Sequence, residues 1–137
     1  MFGRDKWYKP SIIMDLGKMV ELIKTDPACI TTEVFLDLFA FLWEYIVRAM
    51  FIPGQIVQWN TIIFMSNLGA TAIPRDLIIN FGKFCQNHCL YHMRKAYYLQ
   101  VGWGQMMLYK AIKWMIHPET LEKMTITSEM SPKDLVD

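Results

Sequence analysis

Residues 59–65 are apolar at both odd and even positions. The sequence WNTIIFM carries Thr61, then Ile62 and Ile63, and ends in two more apolar residues. Alternate side chains of a strand point to opposite faces, so this run makes both faces of a strand apolar. Strands covered on both faces are typical of parallel sheets with helical crossovers. The run therefore predicts a layered α/β fold.

Turn and capping signals divide the remaining chain into alternating elements. Proline and glycine stop several of them, Thr31 or Thr32 caps a long helix, and Pro74 with Asp76 begins another. The predicted strands are residues 10–16, 59–65, 95–101 and 125–127, and the predicted helices are 18–24, 31–52, 74–89 and 103–116. This order predicts a mainly parallel (mixed) sheet flanked by helices.

The composition fits one domain with surplus apolar surface. A length of 137 residues is close to the commonest domain size. The hydrophobic fraction of 53% is high and the charged fraction of 20% is low for a soluble domain. The chain has 11 Met and 5 Trp, residues that suit irregular apolar ligands and wet apolar edges. A ligand cavity and a Met-rich core both explain this composition.

Charge and cysteine content exclude some functions. A net charge of +1 gives no broad attraction to nucleic acid, so we expect no nucleic-acid partner. The three cysteines, Cys29, Cys85 and Cys89, are an odd number with no secretory signal before them. This pattern favours reduced thiols and a cytoplasmic protein, and it predicts no disulfide framework.

Residues 34–52 form the longest apolar run and raise the question of a membrane span. Asp37, Glu44 and Arg48 fall on one stripe of this helix, and the last two form an i,i+4 pair. Three charges would be costly at the centre of a bilayer. The run therefore predicts a mostly buried amphipathic helix.

Metal binding and catalysis have little support. Cys85, His88, Cys89 and His92 are at helical spacing near the end of the helix 74–89 and would share one face, but one straight helix cannot surround a zinc ion. We therefore expect no metal. The chain has no phosphate-binding glycine loop, no nucleophile elbow and no recognisable His–acid pair, so we expect no catalytic residues and no enzyme.

Four segments occur in the order of a known family. They are GRDKWYKPSIIMDL (3–16), MFIPGQIVQWNTIIFMSNLGATAIPRDL (50–77), KAYYLQVGWG (95–104) and HPETLEKMTI (117–126). They resemble the CRAL-TRIO domains, the lipid-binding modules of tocopherol, retinaldehyde and phosphatidylinositol carriers. The family's closing Pro-x-x-Leu-Pro-x-x-x-Gly-Gly segment and N-terminal helical region are absent. Residues 1–137 therefore resemble the lipid-binding core alone.

The resemblance implies an internal pocket that is closed by the helix 103–116, which acts as a gate in the family. On a helical wheel, Met107, Leu108, Ala111 and Met115 form one apolar side, and Lys110 and Lys113 lie opposite with Met106 nearby. We expect the first side to face lipid and the second to face membrane. The expected lipid-binding residues are Thr61, Ile63, Met65, Tyr97, Leu99, Met107, Leu108, Ala111, Met115, Thr120 and Lys123. The expected membrane-contact residues are Trp103, Met106, Lys110 and Lys113.

Head-group positions only partly follow the family. Thr120 and Lys123 match the positions that hold the phosphate of inositol lipids. Thr61 matches one of two hydroxyl residues that hold a choline head group, but Trp59 occupies the other position. Tyr91 and His92 replace the family's acidic–basic pair just before the third predicted strand. The sequence is therefore compatible with an inositol phospholipid and with a different hydrophobic ligand.

The resemblance implies a carrier that binds a phospholipid or other lipid and transfers or presents it at membranes. Bound lipid takes the place of a cofactor, and membrane contact is peripheral and transient. The alternative is a non-exchanging module that targets a larger protein to a membrane or to a protein partner through flanking regions.

Overall fold

The computed structural model describes residues 2–26, 31–66, 68–69, 73–89 and 91–130. Pro27, which follows the predicted helix 18–24, and the thiol of Cys29 lie outside these ranges. Within them, the predicted α/β architecture is confirmed.

Five strands form one mostly parallel sheet. They are β1 (Phe2–Arg4), β2 (Pro10–Asp15), β3 (Trp59–Phe64), β4 (Met93–Leu99) and β5 (Met124–Ile126). Their spatial order is the chain order, and only β1 is antiparallel to its neighbour. The strand β1 was not predicted, because three residues are too few to show a period.

Five α-helices lie in the described part of the chain. They are α1 (Leu16–Thr25), α2 (Thr32–Tyr45), α3 (Arg75–Phe84), α4 (Trp103–Ile112) and α5 (Pro118–Glu122). A π turn extends α2 over Ile46–Met50 and α3 over Cys85–Cys89, and a 3₁₀ turn extends α4 over Lys113–Met115. The predicted cap is present, because the Thr31 hydroxyl accepts a hydrogen bond from the Val34 amide at 3.2 Å. The short helix α5 was not predicted.

The helices gather on one face of the sheet. Parallel strands that follow chain order need right-handed crossovers, which place each connecting helix on the same side. On β3, Trp59, Thr61 and Ile63 face this side and are buried, whereas Ile62 and Phe64 on the other face are half-buried. The second face of β3 is therefore covered less completely than the first.

Hydrogen bonds to Asp5, here called the polar hub, stabilise the start of β4. Trp59 pairs with Met93 and Asn60 pairs with Lys95, so Arg94 is one extra residue in the register. The Asp5 carboxylate accepts hydrogen bonds from Asn60 at 2.9 Å and from Arg94 at 3.4 Å. The hub ties the turn after β1 to β3 and to the bulge.

The long helix α2 is less buried than its sequence predicts. Phe39 is buried and packs edge-on against Phe81 at 4.7 Å between ring centroids. Its exposed side carries the apolar Val34, Leu38, Phe41 and Tyr45 next to the charged Asp37, Glu44 and Arg48. The predicted Glu44–Arg48 ion pair is present. In the described ranges, no helix has both the length and the apolar character that crossing a membrane requires.

Candidate functional site

A cavity of about 590 Å³ lies between the sheet and the helices. Its wall takes residues from β2, β3, β4 and β5, and from α1, α2, α3, α4 and α5. The volume lies in the range of small-molecule and cofactor sites. No Asp, Glu, Lys or Arg of the described residues belongs to this wall. The cavity therefore suits an apolar ligand.

Adjacent strands form the floor of the cavity. Ile63 lies between Met14 on β2 and Tyr98 on β4, and Tyr98 is followed by Ile126 on β5. All four residues belong to the wall. The next row along the strands carries Thr61, so the floor is mainly apolar and its hydroxyl groups are those of Thr61 and Tyr98.

Strand residues predicted to bind lipid fall into two groups. Thr61, Ile63 and Met65 belong to the cavity wall. Tyr97 and Leu99 do not, because they lie on the opposite face of β4 from Tyr98. Consecutive apolar residues in β4 gave no period, so the sequence alone did not show which face points inward. The assignment of Tyr97 and Leu99 to the cavity is corrected in favour of Tyr98.

A buried glutamine sets the rotation of α4. The Gln105 amide donates to the Leu68 carbonyl at 2.9 Å, and its Oε1 accepts from the Gly102 amide at 2.7 Å. These bonds tie the start of the helix to the loop after β3. Gln105 and, one turn later, Tyr109 therefore belong to the cavity wall.

This rotation corrects the inner face predicted for α4. Met107 and Ala111 are exposed and lie outside the wall. The helical wheel placed them inward because it counted apolar residues and gave no weight to Gln105. The side chains of Leu108 and Met115 lie outside the description.

The outer face of α4 combines aromatic and basic side chains. Trp103 is 81% exposed and Trp114, in the 3₁₀ turn, is 79% exposed. Lys110 and Lys113 are exposed between them, and Met106 is half-buried. Trp103, Lys110 and Lys113 are therefore exposed, and their contact with a membrane stays a prediction.

The cavity opens beside α3. Ile78, Gly82 and Gln86 follow one another at helical spacing, belong to the wall and are exposed. A Cβ atom at Gly82 would meet nothing within 4 Å. α3 packs on α2, whereas within the described ranges it makes no comparable contact with α4. The row Ile78–Gly82–Gln86 therefore borders one opening of the cavity, and Gly69 and His117 are further exposed residues of its wall.

Comparison with known protein families identifies the chain. Residues 1–136 match the CRAL/TRIO domain. The chain belongs to this family. CRAL-TRIO domains are in general lipid-binding carriers and not enzymes. A comparison with curated proteins found no match.

The two residues predicted to hold a head-group phosphate, Thr120 and Lys123, differ in their position relative to the cavity. Thr120 belongs to the cavity wall. Lys123 lies outside it, and its ammonium group is 3.1 Å from a Glu119 carboxylate oxygen. A phosphate at Thr120 would compete with Glu119 for the lysine.

The Cys/His helix of the CRAL-TRIO domain contributes thiols to the cavity wall. Cys85 and Cys89 line the cavity, whereas His88 is exposed. His92 Nδ1 lies 2.8 Å from the Val57 carbonyl oxygen. The described residues include no group of three or more His, Cys, Asp or Glu side chains placed to hold a metal ion. A hydrogen bond with Cys85 and burial raise the pKa of the Cys89 thiol, which stays protonated at neutral pH.

The phenol of Tyr98 makes stability sensitive to alkaline pH. Desolvation by burial, with smaller effects of Cys85 and Tyr109, raises the pKa of Tyr98 from 10.0 to about 12. As the pH rises between these values, the unfolded chain loses a proton that the folded chain retains, so stability declines. We expect the free energy of unfolding to fall by about 1 to 2 kcal/mol by pH 12. The pKa shift alone would give more, but part of the ring faces the cavity, where solvent weakens the effect. Urea unfolding from pH 8 to pH 12 should show this decline.

The variant Tyr98→Phe tests that assignment. Its unfolding free energy should decline less over the same pH range, because the phenol is absent. An identical decline in wild type and variant would show that other groups carry the effect.

Proposed function

We propose that this domain holds one hydrophobic lipid in the cavity and transfers or presents it at membranes. The observation that carries the proposal is the apolar cavity above the sheet, whose described wall has no ionised carboxylate or ammonium group. Moving an acyl chain from water into such a site is favourable by about 0.8 kcal/mol for each CH₂ group. The lipid-binding character of CRAL-TRIO domains agrees with this reading.

The outer face of α4 supports peripheral membrane contact in this proposal. Trp103 and Trp114 are exposed near Lys110 and Lys113. Aromatic side chains with neighbouring lysines suit the interface between lipid head groups and acyl chains. The membrane would then lie against the helix that forms one side of the cavity, and lipid would pass beside α3.

The direct test is to identify what the purified protein carries. Organic extracts of the folded protein should contain a phospholipid or another long-chain lipid by mass spectrometry. Protein stripped of lipid should take up a fluorescent phospholipid or sterol analogue and pass it to acceptor vesicles. Empty extracts together with no uptake of either analogue by folded protein would refute the proposal.

The second candidate is a non-exchanging module that binds a membrane or a protein partner. The exposed apolar face of α2 favours it, because Leu38 and Phe41 are exposed on a helix that also lines the cavity. The carrier and the module differ in whether they exchange lipid with membranes. A carrier releases its fluorescent lipid to acceptor vesicles, whereas the module retains the lipid or binds none.

A further inference from the structure

The turn between β1 and β2 exposes two neighbouring aromatic side chains. Trp7 is 52% exposed and Tyr8 is 70% exposed. Tyr8 has a φ of 62°, in the left-handed region that residues other than glycine seldom adopt. A strained residue of this kind persists only where its surroundings maintain it, and such residues cluster at ligand-binding sites. The turn is therefore a candidate interaction site.

Hydrogen bonds hold the two rings in one arrangement. Asp5 Oδ1 accepts from the backbone amides of Trp7 at 2.9 Å and Lys9 at 2.8 Å. Asp5 Oδ2 accepts the two side-chain bonds of the polar hub. Arg4 donates to the Tyr8 carbonyl oxygen at 2.6 Å. A turn ordered in this way loses little conformational entropy when a partner binds, which favours affinity.

Cationic side chains surround the rings. Lys6 Nζ lies 4.4 Å and Arg94 Cζ lies 4.6 Å from the centroid of the Trp7 ring. Arg4 and Lys9 add two further cations. Among the described residues, the carboxylate of the polar hub is the one acidic group that forms an ion pair with any of these four. Residues 4–9 together with Arg94, here called the basic tip, therefore have an excess of positive charge.

The chemistry of the basic tip suits a protein partner better than a lipid surface. Trp, Tyr and Arg are the residue types enriched at the energetic hot spots of protein interfaces. Insertion of Trp7 into a bilayer would draw the adjacent Arg94–Asp5 ion pair out of water, and desolvating charges is costly. An acidic protein segment can pair with the cations while it covers the rings, so the two surfaces are complementary in charge.

The basic tip and α4 lie at opposite ends of the sheet. Arg94 is near the beginning of β4, and Trp103 follows the end of this strand. The seven residues of β4 span about 20 Å. A bilayer against the outer face of α4 would therefore leave the basic tip accessible from solution.

We propose that the basic tip binds an acidic segment of a protein partner. Carboxylates of that segment pair with Lys6, Lys9 and Arg94, and the segment covers the rings of Trp7 and Tyr8. This inference goes beyond the proposed function, because no residue of the basic tip belongs to the cavity wall.

An octaglutamate peptide with blocked ends tests the basic tip. In an NMR titration the peptide should shift the indole N–H signal of Trp7, which is assigned by its loss in Trp7→Phe. The double variant Lys6→Gln with Lys9→Gln should bind the peptide about tenfold more weakly than the wild type, because it loses two ion pairs. Added salt should weaken the binding of the wild type.

The control for charge is Lys18→Gln with Lys24→Gln. Both lysines are exposed on α1, which begins where β2 ends, at the far end of that strand from the basic tip. The net charge changes by the same amount. Peptide binding by this control should stay within about twofold of the wild type, since salt screens distant charges.

Two further variants leave the net charge unchanged. Trp7→Ala removes the ring beside Lys6 and Arg94, and Tyr8→Gly removes a ring while glycine readily adopts a positive φ. Each should weaken peptide binding by about fivefold, the effect that marks an important interface residue. Because both rings are exposed, both variants should fold, and circular dichroism checks this. Attraction to net charge alone would leave their binding unchanged and would contradict a specific site.

The outcomes separate this inference from the proposed function. No shift of the Trp7 signal with up to about 1 mM peptide, or equal losses in the Lys6/Lys9 and Lys18/Lys24 variants, would overturn it. If the Lys6/Lys9 variant keeps peptide binding but loses binding to phosphatidylserine vesicles, the basic tip is a membrane surface and the inference fails. All these variants should load lipid as the wild type does. Protein that binds the peptide as expected but takes up no lipid would refute the proposed function and leave the basic tip in place.

Discussion

Replacing Gly82 by tryptophan is expected to reduce lipid loading at least tenfold while the protein stays folded. Gly82 lies in the exposed row that borders the cavity, and space is open where its Cβ would be. An indole there occupies the path beside α3. Glycine inside a helix costs about 1 kcal/mol relative to alanine, so its replacement should not lower stability. Lipid uptake and thermal unfolding measure the two effects.

Two controls make the Gly82→Trp result specific. Gly82→Ala changes the backbone preference without filling the opening, so it should keep full loading and gain up to about 1 kcal/mol of stability. Ala111→Trp adds an indole to the exposed side of α4 and should also keep full loading. Normal loading in Gly82→Trp would show that lipid enters through another opening. Loss of loading in Ala111→Trp would contradict the rotation of α4.

Local chemistry predicted most of the fold. The apolar run of β3, the Thr31 cap and the prolines that bound helices each act within a few residues of chain, so the sequence shows them directly. The structure bears out the order of the four predicted strands and of the helices between them. The strand β1 escaped prediction because its pairing with β2 depends on a turn rather than on a period.

The cavity was harder to predict because its wall depends on rotation and register. The faces of α4 follow from hydrogen bonds between Gln105 and a loop far away in sequence, which no helical wheel contains. The inward position of Tyr98 follows from a register that the bulge at Arg94 shifts. Gln105, a polar residue three positions after Gly102, was the signal in the sequence that could have indicated which side of α4 faces the cavity.

The double variant Lys110→Glu with Lys113→Glu, on α4 and its 3₁₀ extension, is expected to bind anionic vesicles at least about 30-fold more weakly than the wild type. Lys110 and Lys113 are exposed on the same surface as Trp103 and Trp114. Each basic residue near an anionic membrane contributes about 1 kcal/mol, so loss of both attractions alone gives about 2 kcal/mol, and the introduced glutamates add repulsion. Lipid loading should be unchanged, because neither lysine belongs to the cavity wall. Vesicle co-sedimentation and lipid uptake measure the two properties.

The same change of charge at another surface tests whether location matters. Lys18 and Lys24 are exposed on α1 and lie outside the cavity wall, so Lys18→Glu with Lys24→Glu gives the same net charge as the α4 variant. If α4 is the membrane-facing surface, this control should bind anionic vesicles far better than the α4 variant, since charge away from the membrane is screened by salt beyond about 10 Å. Equal losses in both variants would mean that only net charge matters. An α4 variant that binds vesicles normally but fails to load lipid would show that the two faces of this helix are assigned the wrong way round.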